Sequence, residues 1–245
     1  MKSAGGAATE LGLQEDRMSE LGRIERPESA PYLDKRKIYL VPLVFGPPDS
    51  PTEYLDIAGR YWSGAREAVY RLEARLGPTR HVFHQFVTVP GDDGLRVVAQ
   101  VNPGGHDFVG EKMTAGAALE AFEDEETLAE VMDWQMCQMV GLQSPKVQRQ
   151  VWEAYRDAKR RRYELMAKKI QEALGEAEAG LLIVEEQHEL QFPPEVEVFY
   201  VAPPALDELH RWIRDRVRAQ ASAQRERGAP QGSDESGEGE VSGDE

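Results

Sequence analysis

The chain has 245 residues, a formal net charge of −15 and one cysteine, Cys137. A single cysteine excludes intramolecular disulfides and multi-cysteine zinc sites, and the negative charge disfavours general binding to nucleic acid or anionic membranes because it repels phosphate. No stretch approaches the run of about 20 apolar residues that crosses a bilayer, so we expect a soluble cytoplasmic protein that does not interact with membranes.

The two ends of the chain differ in composition from its middle. Residues 1–36 are rich in Gly, Ala, Ser and Glu, and residues 225–245 form an acidic tail of Gly, Ser, Asp and Glu. Such segments bury too little apolar surface to fold, so both are predicted to be disordered. Residues 37–224 suit one α/β domain with a sizeable core.

The first half of this domain indicates a strand, a helix and a second strand. Residues 37–45 form an apolar run containing Pro42, which predicts a buried strand with the proline at a bulge or edge. Residues 51–77 carry apolar side chains at alternating steps of three and four, which predicts an amphipathic helix ending at Gly77. Residues 80–89 predict the second strand and 95–101 a short helix. This order is typical of a parallel βαβ unit.

A helical insertion at about 107–174 follows. It is predicted as helices over 108–121 and 125–140 and a long helix that Ser144 caps and Pro145 opens. The short apolar run 181–184 then predicts a central strand.

The segment from Gln191 to Trp212 is the most informative in the chain. Two Pro-Pro pairs frame residues 196–200, which alternate as a strand does, and Pro204 is placed to open a helix. The fold class predicted from all these elements is α/β, with a mostly parallel small sheet of about four strands, flanking helices and a helical middle section.

Two resemblances concern the domain. The strings Ile38 to Leu43, Met139 to Leu142 and Gln191 to Trp212 resemble a group of uncharacterised bacterial proteins over nearly all of 37–216, which implies no activity. The long helix, Ala173-Leu174, a glycine and Leu181 to Val184 are similar to the C-terminal domain of archaeal and eukaryotic class I peptide-release factors and their bacterial relatives. The Gly-Gly-Gln tripeptide that such factors use for peptidyl-tRNA hydrolysis is missing, so this resemblance implies at most a binding domain.

Acidic residues follow three of the predicted strands. Asp49 follows the first strand, Asp92 and Asp93 the second, and Glu186 and His188 the run 181–184. In a parallel sheet these positions share one edge, where open α/β sheets bind ligands, so together they could hold Mg²⁺ or perform acid–base chemistry. The alternatives are helix caps for the aspartates and a solvated acidic loop for Glu186 and His188.

One stretch of the chain is locally basic. The range 146–169 contains four consecutive bases flanked by tyrosines, an arrangement that could bind RNA phosphates and stack bases: Lys159, Arg160, Arg161 and Arg162. The alternative is a solvated face paired with acidic neighbours in the same helix or in 120–133.

The remaining motifs predict no metal and no cofactor. His81 and His84 would point to opposite faces of a strand and could not share a metal, and the glycines at 104 and 105 lack the spacing of a nucleotide-binding loop.

Three hypotheses remain. The preferred one is a non-catalytic cytoplasmic binding or adaptor protein that self-associates through the helix of Trp62 or Trp152; the alternatives are a metal-assisted hydrolase using the strand-end acids and an RNA- or ribosome-associated, release-factor-like protein.

Overall fold

One parallel sheet organises the computed structural model, which describes residues 30–228. Its five strands lie in the order β3-β2-β4-β1-β5, and every pair is parallel. Their bounds are Arg36–Pro42 (β1), Thr79–His84 (β2), Ala118–Leu119 (β3), Ala179–Val184 (β4) and Val196–Tyr200 (β5). The predicted α/β class, with a parallel sheet and flanking helices, is confirmed.

Six α-helices surround the sheet within the described part of the chain. They are Thr52–Leu76 (α1), Gly91–Val101 (α2), Pro103–Thr114 (α3), Glu125–Met139 (α4), Pro145–Ala173 (α5) and Pro204–Gly228 (α6), and a short 3-10 helix spans Ala30–Tyr32. The helices α1, α2, α3 and α6 contribute to the core on one face, and α5 covers the other. None of these helices is long and apolar enough to cross a membrane.

The strand β3 occupies part of the range predicted as a helix over 108–121. The helix α3 ends at Thr114, and Gly116 has a φ of +99°, a conformation that glycine adopts without steric cost. Ala118 and Leu119 then pair with β2. The sheet therefore has five strands rather than about four, because Ala118 and Leu119 pair with β2 as an additional edge strand.

The strand β2 is shorter than the predicted range 80–89. It ends at His84, and Phe86 has a φ of +71°, which is unusual for a residue with a bulky side chain. The chain turns here, since the Val87 N–H donates to the His84 carbonyl at 3.1 Å. This turn places Gln85 and Phe86 at the carboxyl edge of the sheet.

Most other predicted elements are present close to their predicted bounds, but the strand predicted over 37–45 ends at Pro42, and the helix predicted over 95–101 begins at Gly91. Pro42 is the last residue of β1, between β4 and β5, and not at a bulge or an edge strand as predicted. The helix predicted over 51–77 is α1, and the helix opened by Pro145 is α5. The strand 196–200 and the helix from Pro204 have the predicted bounds. Most of the two predicted disordered segments, namely residues 1–29 and 229–245, lies outside the described residues.

A buried lysine, Lys37, lies at the amino edge of the sheet and binds the loops there. Lys37 is fully buried, and its ammonium nitrogen, which has three N–H bonds to donate, lies 2.7–3.1 Å from four backbone carbonyl oxygens: those of Tyr32, Leu33, Lys35 and Ala177. Burial lowers the pKa of Lys37, although the negative charge of Asp34 opposes this shift. This one side chain joins the segment before β1 to the loop before β4.

We therefore expect Lys37→Met to lower the free energy of unfolding by about 3 kcal/mol, because the carbonyls lose a charged hydrogen-bond donor. Urea unfolding measures this loss. Lys35→Met is the matched control, since Lys35 makes an exposed ion pair with Glu197, and exposed pairs contribute little. Equal losses in the two variants would contradict the structural role of Lys37.

Candidate functional site at the carboxyl edge of the sheet

The parallel strands bring the predicted acidic residues to one edge but not into one site. Asp49 is exposed in the turn before α1, and Asp92 and Asp93 are exposed in the first turn of α2. Asp93 forms an ion pair with Arg96 of the same helix. None of the three aspartates caps its helix through its side chain, because the N-cap positions are Pro51 and Pro90.

Glu186 and His188 have partners of their own. Glu186 Oε2 lies 2.8 Å from His210 Nε2, and the Tyr200 hydroxyl donates to Glu186 Oε1 at 3.0 Å. Burial raises the pKa of Tyr200 to about 12, with the charge of Glu186 adding to the shift. His188 Nδ1 instead accepts from the Leu190 N–H at 3.3 Å.

Across residues 30–228, no three His, Cys, Asp or Glu side chains form a group that could hold a metal ion. A surface groove of about 590 Å³ lies between α2, α3 and β3 and contains only Asp92 of the five predicted residues. His81 and His84 contact different groups, as the period of a strand predicts: His81 lies between Glu120 and Glu178, at 2.8 and 3.3 Å.

A buried ion pair that the sequence analysis missed lies at this edge. Glu123 and Arg162 are both buried, and Arg162 Nε donates to Glu123 Oε2 at 2.9 Å. The Phe86 N–H also donates to Glu123, at 3.3 Å. Burial alone would lower the pKa of Arg162, but the hydrogen bond and charge of Glu123 raise it above its usual value. This pair connects α5 to the loops after β2 and β3.

A second contact connects α5 to the end of β4. The Tyr163 hydroxyl donates to Glu185, the residue directly after β4, and the Glu185 N–H donates to Gln85 Oε1 at 2.7 Å. Burial raises the pKa of Tyr163, and the hydrogen bond to Glu185 raises it further. Tyr163 is therefore held as a neutral hydrogen-bond donor at neutral pH.

All four predicted RNA-binding residues form ion pairs. Each base has a carboxylate within 4.0 Å: Lys159 with Glu189, Arg160 with Asp157 and Glu164, Arg161 with Glu130, and Arg162 with Glu123. Two of these carboxylates, Glu123 and Glu130, belong to the acidic stretch 120–133. This arrangement is the one described by the alternative to RNA binding, and it leaves none of these four bases without a carboxylate partner.

The first half of α5 extends beyond the sheet. Tyr163 contacts the residue after β4, so residues 145–162 continue past the carboxyl edge for about 27 Å at 1.5 Å per residue. The helix α4 packs along this extension and, of its own side chains, buries only Val131. We call residues 125–158, which comprise α4, the turn after it and α5 up to Ala158, the arm.

The buried histidine His84 connects the end of β2 to the start of α3. His84 is fully buried, its Nδ1 lies 2.6 Å from the Gln85 carbonyl, and its Nε2 lies 3.1 Å from Asn102 Nδ2. Asn102 Oδ1 in turn accepts from the Gly105 N–H at 3.2 Å. The neutral imidazole satisfies both contacts, since one ring nitrogen donates and the other accepts. Burial lowers the pKa of His84 to about 4.

We expect Arg162→Met to lower the free energy of unfolding by about 3–5 kcal/mol, because it leaves the buried Glu123 carboxylate without its cation. The neighbouring variant Arg161→Met is the control, since its pair with Glu130 is exposed, and it should leave stability nearly unchanged. Denaturant unfolding at pH 7 compares the two. A small loss in Arg162→Met would mean that water reaches Glu123.

The folded protein should lose stability relative to His84→Gln as the pH falls from 6.5 to 4. The unfolded chain binds a proton at His84 near its ordinary pKa, while the folded chain resists protonation until about pH 4. The resulting destabilisation of the folded protein amounts to about 3 kcal/mol. It is fully present below pH 4 and absent above pH 7. Thermal unfolding of both proteins across this range tests it, and parallel pH curves would show that His84 takes up its proton in the folded state.

Comparison with known proteins adds no relative. The chain matches no protein-family model, no curated protein and no solved structure. The resemblances to uncharacterised bacterial proteins and to release factors therefore stay predictions.

Proposed function

We propose that this protein is a non-catalytic binding or adaptor protein that contacts another protein through the arm. The observation that carries the proposal is Trp152, which is 52% exposed on the part of α5 that lies beyond the sheet. A large aromatic side chain exposed on a projecting helix is a typical anchor of protein interfaces, where Trp, Tyr and Arg contribute most of the binding energy.

The surroundings of Trp152 support this role. Its ring lies 6.0 Å from that of Tyr155, and Arg149 and Arg156 are exposed on the same helix. Within the described chain, neither arginine has a carboxylate within 4.0 Å, unlike the four bases that follow them. The partner surface that suits this group is an apolar pocket for the indole, bordered by carboxylates.

The two alternative functions have less support. A metal-assisted hydrolase needs several carboxylates directed at one point, whereas Glu186 and Asp93 are each engaged by a separate base. An RNA-binding surface needs free cations to contact phosphates, whereas the run from Lys159 to Arg162 is ion-paired. The cytoplasmic location expected from the sequence remains part of this proposal.

Site-specific photocrosslinking tests the proposal. A photoreactive phenylalanine derivative in place of Trp152 should give, in cells that produce the protein, a covalent adduct of discrete mass with a second protein. The same derivative at Ile213, which is 43% exposed on α6, should give none.

Charge reversal provides the specificity control. Changing Arg149 and Arg156 together to Glu should remove the adduct at position 152, because the carboxylates of the partner would then meet like charges. No adduct at 152, or the same adducts at 152 and 213, would contradict the proposed function.

A further inference from the structure

The second half of α6 extends past the start of α1. Glu208, near the start of α6, forms an ion pair with Arg60 in the first half of α1. Further along α6, Trp212 donates to Glu53, in the first turn of α1, at 2.9 Å. The two helices are therefore antiparallel, and the residues after Trp212 continue beyond α1. Every residue from Ile213 to Ser222 is exposed.

Three exposed arginines lie on the outward face of this part of α6. Arg211, Arg214 and Arg218 recur at steps of three and four. At 100° per residue they lie about 140–180° around the helix axis from Leu209, which is buried. Arg218 lies 4.0 Å from Asp215, and among the described residues the other two arginines have no carboxylate within 4.0 Å. We call these three residues the arginine row.

The arginine row favours anionic neighbours. Like charges at steps of three and four on a helix repel each other and destabilise it. This part of α6 is exposed on all sides, so burial of apolar side chains does not offset the repulsion. Carboxylates placed along the row would relieve it.

The chain that follows α6 supplies such carboxylates. Residues 229–245, which we call the acidic segment, lie outside the described residues and contain six acids and no lysine or arginine. The acids are Asp234, Glu235, Glu238, Glu240, Asp244 and Glu245. Residues 229–233 carry no charge and include Pro230 and Gly232, which are typical residues of a turn.

We propose that the acidic segment turns back after α6 and that its carboxylates bind the arginine row of the same molecule. The segment runs antiparallel to α6, and it covers a cationic surface of an acidic protein. This inference concerns α6 and not the arm, so it goes beyond the proposed function.

The length of the acidic segment permits this contact. Gly228 ends α6, about 15 Å from Arg218 and about 26 Å from Arg211 at 1.5 Å per residue. An extended chain covers about 3.3 Å per residue, so from Gly228 it reaches about 20 Å at Asp234 and about 40 Å at Glu240. The acids between these two positions can therefore reach the whole row.

A contact within one molecule is favoured over a contact between molecules. A segment tethered beside its binding surface has an effective concentration in the millimolar range, which compensates for the small contribution of each exposed ion pair. The protein has a net charge of −15, so a second copy or a nucleic acid is repelled as it approaches. The acidic segment is already adjacent and needs no such approach.

Carbodiimide coupling tests the contact in the full chain. Arg211→Lys, Arg214→Lys and Arg218→Lys together keep the positive charges and supply amines. A carbodiimide joins such an amine to a carboxylate at ion-pairing distance as an amide and takes up the water that is lost. Mass spectrometry of the digested protein should find positions 211, 214 and 218 joined to residues 234–240.

The variant Arg75→Lys is the matched control, since Arg75 is exposed in the last turn of α1. The helix α1 rises about 33 Å from Glu53 to Arg75, and α6 continues about 24 Å in the other direction from Trp212 to Gly228. Glu240 therefore does not reach position 75. Coupling of this position to residues 234–240 should be at least about tenfold less frequent than coupling of the arginine row.

Hydrogen exchange measures the effect of the contact on α6. A full-length variant with Asp234→Asn, Glu235→Gln, Glu238→Gln and Glu240→Gln removes four of the anions. The amides of residues 213–222 should exchange about 5-fold faster in this variant at low salt, because about three exposed ion pairs are lost. In 1 M NaCl, where the screening length is about 3 Å, the variant and the wild type should exchange alike.

Three results would overturn the inference. The first is coupling of the arginine row that is no more frequent than coupling of position 75. The second is equal exchange of the wild type and the neutralised variant at low salt. The third comes from an equimolar mixture of ¹⁵N-labelled and unlabelled protein: a contact within one molecule joins peptides of one isotope, and mixed cross-links would mean that a second copy supplies the acids.

Discussion

The direction of the arm depends on the buried ion pair between Glu123 and Arg162. Glu123 lies where β3 leads into α4, and it accepts hydrogen bonds from α5 through Arg162 and from the loop after β2 through the Phe86 N–H. Its carbonyl also accepts from Lys169 at 2.7 Å. These bonds come from two segments, α5 and the loop after β2, so they fix the angle at which α4 and α5 leave the sheet. A buried pair costs desolvation energy and is weak evidence of net stability, which favours a positioning role for this one.

The burial of the central strands confines charged groups to the ends of the sheet. Every residue of β4 from Ala179 to Val184 is buried and none has a polar side chain, as expected for a parallel strand covered on both faces. At the carboxyl end, Glu185 binds the hydroxyl of Tyr163. At the amino end, the ammonium group of Lys37 donates to backbone carbonyls that lie outside the strands. The contacts at both ends join loops to the sheet.

Local patterns in the sequence predicted the elements that determine their own structure. The helices α1 and α5 and the strand before Pro204 follow from periodicity and proline placement. The strand β3 could not be predicted from periodicity, because it has only two residues. It forms by pairing with β2. For the basic run, the sequence indicated 120–133 as one source of acidic partners, but it could not decide between paired and free bases, because Glu130 is 31 residues from Arg161 in the chain. Bases whose acidic partners are distant in the sequence form their ion pairs only when the chain folds.

The acidic residues after the strands do not converge, whereas the arm exposes an aromatic side chain beside bases that form no ion pair within the described chain. Strand-end carboxylates would have to converge to bind a cation, but Glu186 binds His210 and Tyr200 while Asp93 binds Arg96. Each of these contacts occupies a separate carboxylate, so the acids do not converge on one point. On the arm, Trp152 is exposed beside Arg149 and Arg156, and this surface is the one on which the proposed binding function rests.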